Sequence, residues 1–199
     1  MNSDTLKFFA KRHSFYDIND KIDISNNELE ILISGCLDLY PSSFNSQDAR
    51  LVLLMGEHHK FFWDIVKDEL YKIAFEDKKA QIEQKITGFR AGYGTILFFI
   101  DTQITQNLAK THALFAPQIP TWAEHGNAML QFMIWTALAQ KNIGASLQHY
   151  NPLIDDVIKQ KFEIPLDWKF IAQMPFGGIE KETKAHEIKN IADRLTVRP

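Results

Sequence analysis

The chain has 199 residues, of which 45% are hydrophobic and 24% are charged, and this length and composition are typical of one globular domain. Its formal charge is −3 and only five of its 22 basic residues are arginine, so the sequence offers no basic surface for nucleic acid. One cysteine excludes an intramolecular disulfide, and we find neither a run of about 18–20 apolar residues nor a secretory leader, so we expect a cytoplasmic protein without membrane contact.

A short amino-terminal helix is predicted to begin at Ser3 or Asp4 and to end near Arg12. Its apolar positions predict burial of Leu6, Phe9 and Ala10. The basic segment 11–14, with the sequence KRHS, therefore lies where this helix ends.

The second predicted helix has a clear start and a single apolar face. Ser25 and Glu28 have the spacing of a capping box, and apolar residues recur at offsets of three and four as far as Tyr40. Cys36 belongs to this apolar face, so we interpret it as a core thiol rather than a nucleophile. Pro41 ends the helix and begins an uncharged polar loop, residues 41–47.

The middle of the chain alternates strands with helices. Buried strands are predicted at 51–55 and 95–100, and helices at 61–73 and 78–86, the latter a charged surface element. His58 and His59 adjoin each other without a third ligand at metal spacing, so both are predicted to be solvated.

Three glycines precede the second of these strands. Gly88, Gly92 and Gly94 resemble a phosphate-binding turn in composition, but such a turn leads from a strand into a helix. The order here is the reverse, so we interpret them as turn residues. The following stretch, 102–120, predicts a short helix and a two-proline loop that serves as a connector or as the wall of a pocket.

The most apolar helix of the chain is predicted to begin at a capping box formed by Thr121 and Glu124 and to continue to Ala139. Apolar residues occupy nearly every face of it, so it must be covered by its own domain or by a partner subunit. Asn142 and Gly144 are predicted to end it, with Gly144 in a left-handed conformation.

The carboxyl-terminal part is predicted to contain a strand at 145–150, a helix beginning at Asn151 and a strand at 168–174 that ends before residues 175–178. Polar side chains at the end of the first strand lie where sheets flanked by helices bind ligands. These side chains are Ser146, Gln148 and His149. The polar tail from 179 to 199 follows.

The alternation of strands and helices predicts an α+β or three-layer α/β/α domain that spans residues 1–199. Three short motifs add to this prediction: KRHS at 11–14, PSS-x-NSQ at 41–47 and GASLQHYN at 144–151. The first two resemble the nitroreductase family, whose members are FMN-dependent homodimeric oxidoreductases with a mostly antiparallel sheet flanked by helices. The third resembles a short subgroup sometimes called fatty-acid-repression proteins. Without the resemblance, 41–47 would be interpreted as a run of Asx- and Ser-turns.

The resemblance implies a phosphate site made by both ends of the chain. Arg12 would bind the FMN phosphate by a two-pronged contact and Ser14 by its hydroxyl, with His13 beside them. Arg194 matches the late phosphate-binding arginine of the family. Larger members often carry two lysines where this chain has Tyr16 and, by approximate alignment, Ala192, so the arginines would carry more of the anchoring.

The resemblance also implies two segments at the flavin ring. Ser42, Ser43 and Asn45 would contact the flavin from the other subunit of the homodimer, and Gln47 would support their loop. Backbone groups of 148–151 would lie along the isoalloxazine; these residues are Gln148, His149, Tyr150 and Asn151. No catalytic side chain and no metal are needed, because FMN carries the electrons.

The implied activity is reduction of nitroaromatic or quinone-like acceptors by NADH or NADPH, with FMN alternating between the two substrates in a ping-pong cycle. One alternative is a flavin-binding regulatory or storage protein with incidental turnover. A flavin-free alternative makes the apolar helix a contact between subunits and the polar loops ordinary turns.

Overall fold

A five-stranded sheet forms the centre of the computed structural model, which describes residues 3–181, 183 and 189–198. The strands are β1 (Ile18–Asn19), β2 (Ala49–Met55), β3 (Gly94–Asp101), β4 (Ile143–Ala145) and β5 (Trp168–Ile179). Their order is β1-β5-β3-β2, and β4 pairs with β5 as well. All these pairs are antiparallel, in agreement with the mostly antiparallel sheet that the family resemblance implied.

Seven α-helices accompany the sheet in the described residues. They are α1 (Asp4–Ala10), α2 (Asn26–Leu39), α3 (Gly56–Ile73), α4 (Glu76–Arg90), α5 (Thr102–Thr111), α6 (Ile119–Gln140) and α7 (Asp155–Lys161). Single 3₁₀ turns lie at Ser43–Asn45, Ala113–Phe115 and Ile191–Asp193. None of the helices in the described ranges combines the length and apolar character that crossing a membrane requires.

The sheet separates two hydrophobic cores, which confirms the three-layer α/β/α arrangement. Alternate residues of a strand point to opposite faces, and β3 is apolar on both. Ile96 and Phe98 belong to the core beneath α2 and α6. Leu97 and Phe99 belong to the core beneath α3, α4 and α7. All four side chains are fully buried, so the position of β3 between the layers is fixed from both sides.

Helix α2 forms as the sequence predicted. The Ser25 side chain accepts a hydrogen bond from the Glu28 backbone N–H, and the Glu28 carboxylate accepts one from the Ser25 N–H. Cys36 packs against the first core, and burial raises the pKa of its thiol. A thiol whose pKa is raised is a poor nucleophile at neutral pH, in agreement with the predicted core role.

Two predicted boundaries around α6 are wrong. The helix begins at Ile119 rather than at Thr121, because Pro120 supplies a first-turn residue that needs no N–H partner, and no side chain caps it. At its other end Asn142, with φ 57°, takes the left-handed conformation that was predicted for Gly144. Gly144 lies in β4 instead, where an added Cβ would lie 2.9 Å from Ile179 and 3.1 Å from Phe15.

The carboxyl-terminal strands also differ from the prediction. Strand β5 continues through residues 175–178 to Ile179, and it is paired there with β1, which the sequence analysis missed, and with β4. The predicted strand 145–150 does not form as one element. Strand β4 ends at Ala145, and beyond it Gln148 forms a single bridge with Gln173. Helix α7 begins at Asp155, four residues after the predicted start.

Of the three glycines predicted in a turn, Gly88 lies in α4 and Gly94 begins β3.

Helix α1 does not bury the side chains that its apolar pattern predicted. Leu6 and Phe9 are 48% and 42% exposed, and Ala10 is exposed as well. The prediction was wrong for a single protomer because an apolar stripe shows that a face needs cover without showing which chain provides it.

His59 is buried, against the prediction that it is solvated, whereas His58 is exposed as predicted. The Nδ1 atom of His59 lies 2.8 Å from Thr95 Oγ1, and its Nε2 atom lies 3.2 Å from the Arg90 carbonyl oxygen. A carbonyl only accepts, so Nε2 carries the proton, and Nδ1 accepts from the Thr95 hydroxyl. The Thr95 oxygen in turn accepts from Trp63 Nε1 at 2.9 Å. Burial lowers the pKa of His59 to about 4, so the ring is neutral at pH 7.

This lowered pKa predicts a loss of stability in mild acid. Between the ordinary value of 6.5 and about 4, the unfolded chain binds the His59 proton and the folded chain does not. The contribution of His59 is therefore complete above pH 6.5 and is lost as the pH falls toward 4. We expect the free energy of unfolding to fall more steeply in the wild type than in His59→Gln, by up to about 1.4 kcal/mol per pH unit, in urea titrations from pH 7 to 4.

The exposed neighbour provides the control for this titration. His58→Gln removes an exposed histidine one position away and should keep the wild-type slope. Equal slopes for the wild type and His59→Gln would contradict the assignment of a buried neutral imidazole.

Candidate functional site

The KRHS segment is held against α6 by one tryptophan. The guanidinium carbon of Arg12 lies 4.4 Å from the centroid of the Trp135 ring, a cation–π contact. The indole Nε1 of Trp135 donates a hydrogen bond of 3.1 Å to the His13 carbonyl oxygen. Arg12 is thus oriented by the ring face while the next residue is fixed by the ring N–H.

The same segment runs beside the third motif. Ser14 forms a parallel bridge with Ala145, and the Phe15 N–H donates to the Ala145 carbonyl oxygen at 3.0 Å. The structure therefore brings together the KRHS and GASLQHYN motifs, which are 130 residues apart in sequence.

Arg12 differs from two other arginines of the chain in its electrostatic partners. Arg50 pairs with Asp101 at 2.9 Å. Arg90 pairs with Asp64 through two hydrogen bonds, from Nε at 2.9 Å and from Nη2 at 3.1 Å. Within residues 3–181, 183 and 189–198 we find neither a hydrogen bond nor an ion pair from the Arg12 guanidinium. An arginine that is stacked in place with its donors unused is suited to bind an anion.

The loop 41–47 holds an unusual backbone. Phe44, Asn45 and Gln47 have φ values of 55°, 51° and 50°. This left-handed region costs residues other than glycine roughly 1–2 kcal/mol each, and asparagine less than most. Two contacts offset part of that cost: the Gln47 N–H donates to Ser42 Oγ at 3.0 Å, and Arg50 donates to the Gln47 carbonyl oxygen at 2.9 Å. Gln47 thus supports the loop through its backbone.

The loop and the KRHS segment contact opposite sides of α6. The Pro41 carbonyl oxygen approaches the position of a Cβ at Gly126 to 3.3 Å, so the helix is open to the loop there. Gly126 and Trp135 are nine residues apart, which is two and a half turns of an α-helix. Within one protomer the helix therefore lies between the Pro41 end of the loop and Arg12.

An aromatic group packs on the loop outside both hydrophobic cores. The Phe44 ring stacks on the His112 ring at 4.2 Å with an interplanar angle of 16°. Phe115 and Trp122 lie 6.3 and 6.2 Å from Phe44 and 5.6 Å from each other. Phe44 remains 50% exposed. Residues of the predicted connector 102–120 are thus next to the loop, and the alternative that they form the wall of a pocket stays a prediction.

The segment 148–151 has one buried and one exposed residue at its start. Gln148 is 7% exposed, and its side chain donates to Ser146 Oγ at 3.2 Å, so its carboxamide is used inside the protein. His149 is exposed. The Tyr150 ring packs edge-on against Trp63 at 6.0 Å, and burial raises the pKa of its hydroxyl to about 12.

Gln173 fixes this segment and was missed by the sequence analysis. Its backbone exchanges hydrogen bonds with Gln148 at 2.8 and 3.1 Å. Two further backbone N–H groups, of Tyr150 and His149, face its fully buried carboxamide at 2.5 and 3.3 Å. Two donors require an acceptor, so the carboxamide oxygen points toward them. The signal was a glutamine at a buried strand position, where a polar side chain needs a partner.

Asn151 presents an unsatisfied oxygen. Its Nδ2 donates to Asp155 at 3.1 Å, but its buried Oδ1 has no partner in the part of the chain that the structure describes. Buried side-chain oxygens nearly always have one.

Arg194 is exposed, and its side chain forms a hydrogen bond within its own part of the tail. Its Nη2 donates to the Lys189 carbonyl oxygen at 3.1 Å, next to the turn at Ile191–Asp193. Its predicted contact with a phosphate stays a prediction.

The fold is that of an α+β domain with an antiparallel sheet between two layers of helices, and a sequence model of the nitroreductase family matches residues 9–178. The chain belongs to the nitroreductase family. The Saccharomyces cerevisiae protein HBN1 is 30% identical over 174 residues, which cover 86% of each chain.

Solved structures agree with this assignment. Nitroreductase CinD from Lactococcus lactis in complex with chloramphenicol has a TM-score of 0.88 and 34% identity, covering 98% of this chain and all of that one. Its complex with 4-nitrophenol has a TM-score of 0.86 and 36% identity, with the same coverage. A nitroreductase with bound FMN from Desulfitobacterium hafniense shares the fold, with a TM-score of 0.73, 17% identity and full coverage of both chains.

The role of Gln173 predicts a local change in amide hydrogen exchange. Gln173→Leu removes the acceptor of the His149 and Tyr150 N–H groups. One hydrogen bond contributes about 1 kcal/mol, so we expect exchange at these two amides to become about fivefold faster, measured by NMR or by mass spectrometry of short peptides. Gln131→Leu, which replaces another buried glutamine, should leave both rates unchanged. Unaltered rates in Gln173→Leu would exclude this role.

Proposed function

We propose that the protein is an FMN-dependent oxidoreductase that accepts a hydride from NADH or NADPH and reduces nitroaromatic or quinone-like acceptors in a ping-pong cycle. Bound FMN would supply the electron-transfer chemistry, and the protein would fix its position. The proposal includes a cytoplasmic homodimer. Family membership supports the reaction class, and the complexes of CinD with chloramphenicol and 4-nitrophenol support aromatic acceptors.

The observation that carries the proposal is the state of Arg12. Its guanidinium is stacked on Trp135, its donors are unused by the described residues, and it lies next to the GASLQHYN motif. A pre-oriented guanidinium can bind a phosphate dianion through two parallel N–H donors. The Ser14 hydroxyl, with His13 beside it and Arg194 from the tail, would complete this phosphate site.

Two further segments would contact the rest of FMN. Asn151 Oδ1 accepts no hydrogen bond from the described residues, so a ribityl hydroxyl or a ring N–H of the flavin would be a suitable donor to it. The segment 148–151 would offer backbone groups, because the Gln148 side chain is already used internally. Ser42, Ser43 and Asn45 would approach from the loop that Gln47 supports, and the exposed Phe44 ring with its aromatic neighbours would border a planar acceptor.

The position of the loop supports a flavin shared between two subunits. Arg12 and the loop contact opposite sides of α6, so the loop that meets a flavin at Arg12 would come from the second protomer. Apolar side chains on α1 and α6 support the same arrangement, because they remain exposed in one protomer. These are Leu6, Phe8, Phe9, Met129 and Phe132.

Spectroscopy and steady-state kinetics test the proposal. We expect purified protein to absorb in the flavin bands, or to do so after FMN is added, and to oxidise NADH or NADPH when 4-nitrobenzoate or benzoquinone is present. A protein that gains no flavin absorbance and oxidises neither nucleotide would refute it. Tight FMN binding without appreciable turnover would favour the regulatory or storage alternative.

A variant of Arg12 tests the phosphate assignment within the same experiment. Arg12→Ala should raise the Kd of FMN by about 10- to 150-fold, because a charge-assisted hydrogen bond contributes about 1.5–3 kcal/mol. Arg12→Lys should recover only part of this affinity, since a lysine lacks the planar pair of donors. Lys11→Ala removes the adjacent exposed charge and should change the Kd by less than about threefold. An unchanged Kd in Arg12→Ala would refute the assignment.

Sizing by light scattering tests the homodimer. We expect the wild type to have the mass of two chains and Phe132→Glu to dissociate, because the new carboxylate would be buried without a partner in the subunit contact. Phe75→Glu is the matched control: this phenylalanine is 80% exposed between α3 and α4 and should tolerate the charge. A wild-type monomer, or a Phe132→Glu dimer of unchanged stability, would count against this surface.

A further inference from the structure

The loop 41–47 is closed at its base by one tyrosine. Tyr40 follows the last residue of α2, and Ala49 is the first residue of β2. The Ala49 backbone N–H donates a hydrogen bond of 3.0 Å to the Tyr40 hydroxyl oxygen. Because the two residues stand immediately before and shortly after the loop, this contact joins its two ends.

The hydroxyl group of Tyr40 is engaged on its donor side as well. Its oxygen accepts from Ala49, so its proton is free to be donated toward Asp48, whose Oδ1 atom lies 3.5 Å away. The Tyr40 and Asp48 side chains are buried, and burial raises the pKa of the Tyr40 hydroxyl, which stays protonated at neutral pH. Loss of this oxygen alone would deprive a buried N–H and a buried carboxyl group of their partner.

Tyr40 connects the loop to the packed part of the domain. Its ring belongs to the core beneath α2 and α6. It also lies against α6 at Gly126, where an added Cβ would be 3.7 Å from the Tyr40 ring and 3.3 Å from the Pro41 carbonyl oxygen. The base of the loop is thus held against two helices, and the Tyr40 hydroxyl extends this hold to β2.

The loop depends on such a hold because its own backbone is strained. Three of its residues have the left-handed conformation, which residues other than glycine disfavour. Backbone hydrogen bonds inside the loop, from Asn45 to Ser42 and from Ser46 to Ser43, each span only three residues. Such short-range bonds do not tie the loop to its flanking elements, so closure at the base limits how many other conformations the loop populates.

We propose that Tyr40 is a positioning residue of the flavin site, whose hydroxyl keeps the loop 41–47 in the conformation that presents its polar side chains to FMN. The inference rests on the proposed function and adds to it a residue that touches neither cofactor nor substrate. Tyr40 would act entirely through the loop, which is the segment that the proposed function assigns to the flavin of the partner protomer.

A population argument defines what the Tyr40 hydroxyl would do. When only a fraction of the loops has the binding conformation, the apparent Kd of FMN is the intrinsic Kd divided by that fraction. Deleting the hydroxyl lowers the fraction and raises the apparent Kd. The direct contacts of FMN with the phosphate site stay as they are, so the loss in Tyr40→Phe and the loss in Arg12→Ala should multiply.

Titration with FMN, followed by flavin fluorescence, tests this inference. In Tyr40→Phe, which keeps the buried ring, we expect the Kd of FMN to rise about fivefold, the factor that corresponds to one hydrogen bond of average strength. Tyr93→Phe is the matched control, because it removes a tyrosine hydroxyl that is hydrogen-bonded to Asn26 at the other end of α2. The control should keep the Kd within about twofold of the wild type.

Two backgrounds show whether the effect passes through the loop. In Arg12→Ala the loop is intact, so Tyr40→Phe should again raise the Kd about fivefold. Asn45→Gly removes a loop side chain that is proposed to contact FMN and supplies a residue that adopts the left-handed conformation freely. In that background Tyr40→Phe should raise the Kd by less than about twofold. A general destabilisation of the fold would give the same factor in all backgrounds.

Amide hydrogen exchange of the FMN-free protein provides a second measurement. The Ser46 N–H donates to the Ser43 carbonyl oxygen and the Gln47 N–H to Ser42 Oγ, at 3.0 Å each, so both amides report on the loop. We expect both to exchange about fivefold faster in Tyr40→Phe and at the wild-type rate in Tyr93→Phe.

The outcomes separate this inference from the proposed function. A wild type that binds no FMN refutes both. A wild type that binds FMN, with Tyr40→Phe binding as tightly as Tyr93→Phe, with the same factor in every background, or with unaltered amide exchange in the loop, overturns the role of Tyr40 and leaves the proposed function intact. Weaker FMN binding that disappears in Asn45→Gly but persists in Arg12→Ala, together with faster exchange in the loop, supports the inference.

Discussion

Burial of β3 on both faces is the constraint on which the positions of the other elements depend. Four consecutive apolar side chains, residues 96–99, alternate between two cores and are each fully buried. Burying each one contributes about 1.5–3 kcal/mol, and a shift of one residue would exchange the two faces. The strand also carries Thr95, whose hydroxyl connects His59 and Trp63 beneath the segment 148–151. The packing of β3 thereby fixes the side chains on which the segment 148–151 of the candidate site lies.

Strand β5 connects the central strand β3 to the segments that contain the motifs. It pairs with β3 along most of its length, and beyond that with β4 and β1. Gln173 binds the segment 148–151, while β4 pairs with the chain at Ser14. Motifs from the two ends of the sequence are therefore neighbours because one strand holds both, and the register of that strand determines where Arg12 and Tyr150 lie relative to each other.

Much of the fold was predictable because its signals are local. The capping box at Ser25 and the two-sided apolar strand 95–100 each need only a few neighbouring residues, and both were confirmed. The extension of β5 was hidden because residues 175–178 contain a proline and two glycines, which usually mark a turn. Here the glycines allow close approach instead: a Cβ on Gly177 would clash with the Asn19 carbonyl oxygen.

The segments of the candidate site were predictable where a sequence motif marks them, and its other residues were not. KRHS, PSS-x-NSQ and GASLQHYN indicated the segments, but their proximity depends on long-range pairing that no local pattern encodes. Gln173 belongs to no motif, and its partners are distant in sequence. His59 was misassigned because an imidazole suits water and a buried hydrogen-bond chain equally well, and only the neighbouring Thr95 and Arg90 carbonyl decide between them.

Trp135 connects the residue that is proposed to bind phosphate, Arg12, with the surface that is proposed for the subunit contact. Its face holds Arg12 and its N–H holds His13, while Phe132, one turn earlier on the same helix, packs against Phe9 at 5.7 Å on a surface left open in one protomer. In the proposed homodimer, a shift of α6 at the subunit contact would move the guanidinium that is proposed to bind phosphate. By thermodynamic reciprocity, a bound phosphate would then strengthen association of the subunits by the same factor by which association strengthens its binding.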